Sequence, residues 1–198
     1  MSSKMEICNK AILRVGLNPI ESIDDKLKEA KYCKAIYESA KEVVLREPDC
    51  DWNCARKKAF LPLVNTGYSL DYQYAFTLPI DCVKAIKLYG ADSETGAILR
   101  LLDWIISENK LILANSMVVN LEYTAMQSDD TLLDALFADA LSYKLAIELA
   151  TGVKADFTLA KNFIELYERT IAKARIANAK EGNPAEIPFV SDLINSRL

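Results

Sequence analysis

The chain reads as α+β, mainly α: about four helices with a small β module inserted in their middle and an extended C-terminal arm. Three observations predict this. Apolar residues recur at helical spacing before residue 48 and again after residue 130. Between residues 55 and 126 the period changes to the alternation of half-buried strands. Beyond Gly182 two prolines and the lack of any sustained period end regular structure. The expected organisation is therefore a body over 1–182 and an arm over 183–198, with helices at 4–15, 24–47, 130–150 and 156–180 and the β module at 55–126.

The first helix carries Ile7, Ala11 and Val15 in one stripe with Cys8 and Ile12 beside it, and stops at Gly16 before Pro19. Ser22-Ile23-Asp24-Asp25 supplies oxygen side chains where the second helix needs its N-cap. Its apolar face is Ala30, Cys33, Tyr37, Ala40 and Val44; Lys26, Lys28, Lys31, Lys34, Glu38, Lys41 and Glu42 cover much of the rest. Pro48 closes it, because proline disfavours the helical conformation of the residue before it. Strand patterns follow at Tyr72–Leu78 and Val83–Tyr89. Trp104-Ile105-Ile106 and Leu111-Ile112-Leu113 flank the polar turn Ser107–Lys110 as a hairpin. Val119, Leu121 and Tyr123 share one face of a further strand, and Tyr89–Gly96 reads as a polar loop. Ser128-Asp129-Asp130 caps the third helix, whose wide apolar face holds Leu133, Leu136, Phe137, Ala140, Leu141 and Leu145. Gly152 ends it as a C-cap. Phe163, Tyr167, Ile171 and Ala174 mark the last helix. The arm still holds Ile187, Phe189, Val190, Leu193, Ile194 and Leu198, too many large apolar residues for a purely solvated tail. They either pack on the protein's own core or dock on a partner.

A chain of 198 residues fits one domain, at most with an appendage, and buries enough surface to need no staple. No window approaches the ~18 apolar residues of a membrane span, and the N-terminus shows no signal-peptide pattern, so synthesis in the cytosol without export is expected. A net charge of −4 argues against a nucleic-acid clamp, which needs a basic surface. The absence of histidine removes the commonest general base, the commonest metal ligand and every Ser-His or Cys-His pair. Five cysteines are an odd count and read as free thiols; Cys50 and Cys54 are spaced like half a zinc site, but no second pair completes a tetrahedron.

The remaining clusters have plain explanations. Asp129, Asp130 and Asp134 sit where a helix dipole and its caps want carboxylates. Arg56-Lys57-Lys58 is too short for more than weak phosphate contact and suits a lysine-protected strand edge. Tyr68, Tyr72, Tyr74 and Phe76 suit sheet faces, lacking the interleaved cations of a base-stacking platform. We expect no catalytic residue, no metal and no cofactor.

Three blocks nevertheless resemble one family. They are Asn9–Gly16 continuing through Ile20–Asp25; Ala30–Tyr37 leading to Val44–Glu47, Trp52-Asn53 and Lys57–Ala59; and Tyr74–Cys82. In order and spacing, with the later Leu133–Leu141 helix, they are similar to the tail tubular protein A family, the head-to-tail adaptors of short-tailed bacteriophages. The likeness spans most of Glu6 to Lys180. It departs where Asp49-Cys50-Asp51 stands between proline and tryptophan, and where Cys54 replaces a more usual aromatic.

The resemblance implies an antiparallel helical bundle with a small antiparallel β module inserted in the middle, and a structural virion protein with no enzymatic activity. It would be made in the bacterial cytoplasm and located in the neck of the particle, as a dodecameric ring between the portal protein and a tail nozzle of the tail tubular protein B type. Genomic DNA would pass through the ring's channel without specific binding, which a net acidic protomer suits. Ile187, Phe189, Val190, Leu193, Ile194 and Leu198 are the candidate portal-binding residues. A head-completion or stopper protein of another phage type is the alternative, and a cytosolic enzyme working with carboxylates or Cys54 a more distant one.

Overall fold

Local capping rules set where the helices begin and end, and in two places they set it differently from the periodicity. The computed structural model describes residues 3–67, 69–91, 95, 98–107 and 111–181. These residues form an α+β fold with four helices and two antiparallel sheets of four strands each. Helix α1 (Lys4–Arg14) opens on a capping box: the Glu6 N–H donates to the Ser3 hydroxyl at 3.3 Å and the Ser3 N–H to the Glu6 carboxylate at 2.8 Å. Two amides that the helix start leaves open are thereby satisfied. It closes at Gly16, whose φ of +72° suits glycine, with the Leu17 N–H on Ile12 O at 3.1 Å and the Gly16 N–H on Leu13 O at 3.0 Å.

Helix α2 (Lys28–Leu45) starts four residues after the expected Asp24. The oxygen side chains proposed as its cap are spent on a turn of their own. Asp25 accepts the Glu21 and Ser22 amides at 3.1 and 3.0 Å, and the Asp24 amide donates to the Ser22 hydroxyl at 3.2 Å. Such local bonds compete with helix, and Leu27 is left as an N-cap with no side-chain bond.

Helix α3 (Ala135–Gly152) likewise starts later than residue 130, at the N-cap Asp134, whose carboxylate accepts the Leu136 and Phe137 amides. Asp129 caps a separate 3-10 turn over Asp130–Leu132 through the Thr131 amide at 2.9 Å. Gly152 is still helical and has no positive φ; the left-handed residue after the helix is Ala155, with φ +54°. Glycine at 152 leaves room for the Tyr32 ring, which a side chain there would have to displace: a Cβ would lie 2.1 Å from the Tyr32 hydroxyl oxygen and 2.3 Å from Cζ. Because the left-handed region costs an L-residue roughly 1–2 kcal/mol, Ala155→Gly is expected to raise stability by about 0.5–1 kcal/mol. Urea unfolding would read this, and an unchanged or lower midpoint would count against it.

Helix α4 (Phe157–Glu181) agrees with expectation to within a residue. Helix α3 packs against α1, α2 and α4, and buried residues recur around it from Phe137 through Ala138, Leu141 and Ser142 to Ala150. A helix apolar on more than one side belongs in the middle of its neighbours. No helix among the described residues is long and apolar enough to cross a membrane.

All eight strands lie between α2 and α3 in sequence: β1 (Arg56–Phe60), β2 (Leu63–Thr66), β3 (Tyr74–Thr77), β4 (Cys82–Ala91), β5 (Ile98–Leu101), β6 (Trp104–Ile106), β7 (Leu111–Ala114) and β8 (Val119–Ala125). One sheet has the order β1-β8-β4-β5 and the other β2-β3-β7-β6. The expected hairpin is present: β6 pairs antiparallel with β7 and the Ser107 N–H donates to Leu111 O at 2.9 Å, while Glu108–Lys110 lie outside the described residues. Gly90 and Ala91, expected in a loop, extend β4 beyond the expected end at Tyr89; Tyr89 to Ala91 pair with β5, and Tyr89 and Gly90 also pair with β8.

The chain crosses between the sheets by the same device on both sides. Leu61, after β1, donates its N–H to Val119 O at 3.1 Å, and Leu102, after β5, donates to Leu88 O at 2.9 Å. Both leucines are buried in a core of their own with Phe76, Leu88, Ile112, Val119, Leu121 and Tyr123. The sheets therefore face each other. A second core joins the helices to Trp52, Ala55 and Val83.

Candidate interaction surfaces

The six arm residues proposed to bind a portal, Ile187, Phe189, Val190, Leu193, Ile194 and Leu198, lie outside the described residues. The last described turn is held beside the start of β1, where the Asn53 amide donates to Asn178 O at 3.1 Å and to the Glu181 carboxylate at 3.3 Å.

Beneath any surface lies the joint between helices and sheets, made by Trp52, Lys41, Tyr37 and Lys84. Trp52 is fully buried, donates its indole N–H to Val44 O at 2.8 Å and meets the Phe137 ring edge-on with centroids 4.9 Å apart. Lys41 is only 2% exposed; it forms an ion pair with Asp130 at 2.5 Å and donates to Gln127 O. The Tyr37 hydroxyl donates to the same Asp130 at 3.0 Å, and burial followed by this carboxylate pushes the phenol well above its usual range. Lys84, in β4, holds the loop after α2 by bonds to Glu47 O at 2.8 Å, Cys50 O at 3.1 Å and the Asp51 carboxylate at 2.8 Å. The acidic trio of the sequence is thus divided: Asp129 and Asp134 cap, while Asp130 is the half-buried anion of the joint.

Among the described residues, no three His, Cys, Asp or Glu side chains stand together as a metal site. Cys50 is buried with its sulfur accepting from the Asn178 amide at 3.3 Å, and burial raises the thiols of both Cys50 and Cys54. Cys8 is raised by its hydrogen bond to Cys33 and then by burial.

Charge is divided between the two sheets. The strands of the first carry Arg56, Lys57, Lys58, Lys84, Lys87 and Arg100 against Glu122 alone. Arg56-Lys57-Lys58 is exposed on β1, an edge strand, in keeping with a lysine-protected edge. These cations are partly neutralised: Arg56 and Lys58 reach buried Glu122 at 3.2 and 3.6 Å, and Lys57 pairs with Asp81 at 2.8 Å. Burial opposes ionisation of Asp81, but hydrogen bonds from Lys57 and Tyr123 outweigh it and lower its carboxyl. Tyr123 is pushed up to about 12 by burial and by that carboxylate.

The strands of the second sheet, Leu63–Thr66, Tyr74–Thr77, Trp104–Ile106 and Leu111–Ala114, hold no charged residue. Its edges are β2 and β6. Leu63 and Val64 are 42% and 55% exposed, and Ile105 and Ile106 are 46% and 52% exposed. The aromatic group divides: Phe76 is buried between the sheets and Tyr74 is half-buried on β3, Tyr72 precedes β3, and Tyr68 lies outside the described residues. Sequence reasoning passed over this surface because it marks itself only by missing charges across four short segments. Neither protein-family models nor curated proteins match this chain.

Proposed function

We propose that the chain is a structural virion protein, a head-to-tail adaptor whose ring joins the portal to the tail nozzle and continues the DNA channel. The observation that carries this reading is the uncharged second sheet with exposed apolar residues on both edges. Lysines guard the β1 edge of the other sheet; here β2 has only a register shift between Leu63 and Asn65 and β6 pairs regularly, and a partner in an assembly would cover such edges. The resemblance of Asn9–Gly16, Ala30–Tyr37 and Tyr74–Cys82 to the tail tubular protein A family supplies the kind of assembly. In this reading the four helices form an antiparallel bundle that meets the portal, aided by the arm over 183–198, and the strands over 55–126 form an inserted module that meets the nozzle. The pairing of Arg56, Lys57 and Lys58 with Glu122 and Asp81 reduces the positive charge available to DNA, in keeping with a channel that does not bind it.

The test is co-sedimentation with the portal protein of the same phage, using the full chain and a version ending at Gly182. Binding by the full chain in ring stoichiometry and loss with the truncation are expected. Binding by both would keep the adaptor and remove the arm as its grip. Binding by neither would end the adaptor reading.

A further inference from the structure

We propose that copies of this chain join head to tail through the second sheet, the β6 edge of one copy pairing with the β2 edge of the next. This rests on the ring reading above and adds the surface that closes the ring. The two sheets manage their edges differently. The first places three consecutive cations on β1, the usual defence against edge-to-edge pairing; β2 and β6 carry no charge, and of these two edges β2 has a register shift between Leu63 and Asn65 while β6 pairs regularly. No described strand pairs with the outer side of either, and both present exposed aliphatic side chains, Leu63 and Val64 on one and Ile105 and Ile106 on the other.

Topology selects the occupant. Every pairing in the order β2-β3-β7-β6 is antiparallel, so with four strands the two edges run in opposite directions. A second copy carried sideways with its sheet facing the same way brings its β2 antiparallel to β6, extending the existing ladder. Pairing β2 with β2 about a two-fold axis would leave two β6 edges uncovered. The head-to-tail arrangement uses both edges of every copy, and its repetition closes into a ring when the rotation between copies allows.

The experiment is disulfide mapping on the full chain with Val64→Cys and Ile105→Cys, mixed as single variants, in concentrated solution and bound to the portal. Within one copy these positions are separated by three strand spacings, roughly 14 Å, beyond the ~4.4–6.8 Å between Cα atoms that a disulfide tolerates. A 64–105 bond must therefore join two copies, and peptide mapping separates it from bonds involving the partly buried Cys54 and Cys82. The expected result is a 64–105 bond from the mixture and no self-linking of either variant. Val64→Lys should raise the concentration needed for assembly about tenfold or more, equivalent to ~1.4 kcal/mol per contact. Portal binding without the 64–105 bond, or 64–64 bonds in its place, overturns edge pairing and leaves the adaptor standing. Neither portal binding nor the bond overturns both.

Discussion

Replacing Trp52 by alanine is expected to cost about 3–5 kcal/mol of stability, the range for deleting a fully buried large aromatic. Three losses combine. The indole leaves a cavity where the end of α2, the first strand and α3 converge, Phe137 loses its edge-on partner, and Val44 O loses a 2.8 Å hydrogen bond. Trp52→Phe keeps a ring against Phe137 and should cost less than half as much, because the Glu47 amide also reaches Val44 O at 3.3 Å. A domain has only about 5–15 kcal/mol in hand, so the alanine variant should melt well below the parent, by about 2–4 °C for each kcal/mol in a chain of this length. Thermal and urea unfolding measure both. A cost for Trp52→Ala below about 1 kcal/mol, small for a buried aromatic, would mean the joint does not depend on this ring.

Lys41→Met should be of similar severity, about 3–5 kcal/mol, for a different reason. Removing one partner of a buried ion pair strands the other, and Asp130, with a side chain 12% exposed, would keep only the Tyr37 hydroxyl. The Gln127 carbonyl would also lose its donor. The asymmetry is the test. Lys41→Met combined with Asp130→Asn removes both charges, and the pair should cost less than Lys41→Met alone, with a coupling of about 1–3 kcal/mol in a double-mutant cycle. Additive costs would show that the two charges do not act as a pair.

The α+β class was legible because the change from helical spacing to alternation is strong. Helix α1 was legible to its last turn from its apolar stripe and its glycine stop, while the capping box of Ser3 and Glu6 that opens it went unread. The start of α2 was not, because Ser22 and Asp25 offer the same oxygens to a turn as to a helix. Strands β2 and β5 were missed: four residues such as Leu63–Thr66 are too few to show a period. Lys41 was counted among the polar cover of α2, since its partner lies 89 residues away and no local pattern announces a non-local ion pair. Gly152 was recognised as special but for a conformational reason, when the cause is the Tyr32 ring laid against it. The surface now proposed to carry the function was the hardest to read, because its signal is the absence of charge in strands that only folding gathers into one sheet.

Strand β4 has a mechanical consequence. It begins at the helical joint, where Lys84 ties it to the loop after α2, and runs for ten residues, roughly 30 Å, to the far end of the sheets. Strand β8 returns beside it from Val119 to Ala125, opposite Gly90 and Cys82 respectively. Tension between the helices and that far end is therefore directed along the pair, so that its inter-strand hydrogen bonds are sheared together and do not peel one at a time. In the ring proposed above, strain between the helices and the far end of the sheets would run along this pair, loading helices and strands in series through the Lys84 tie.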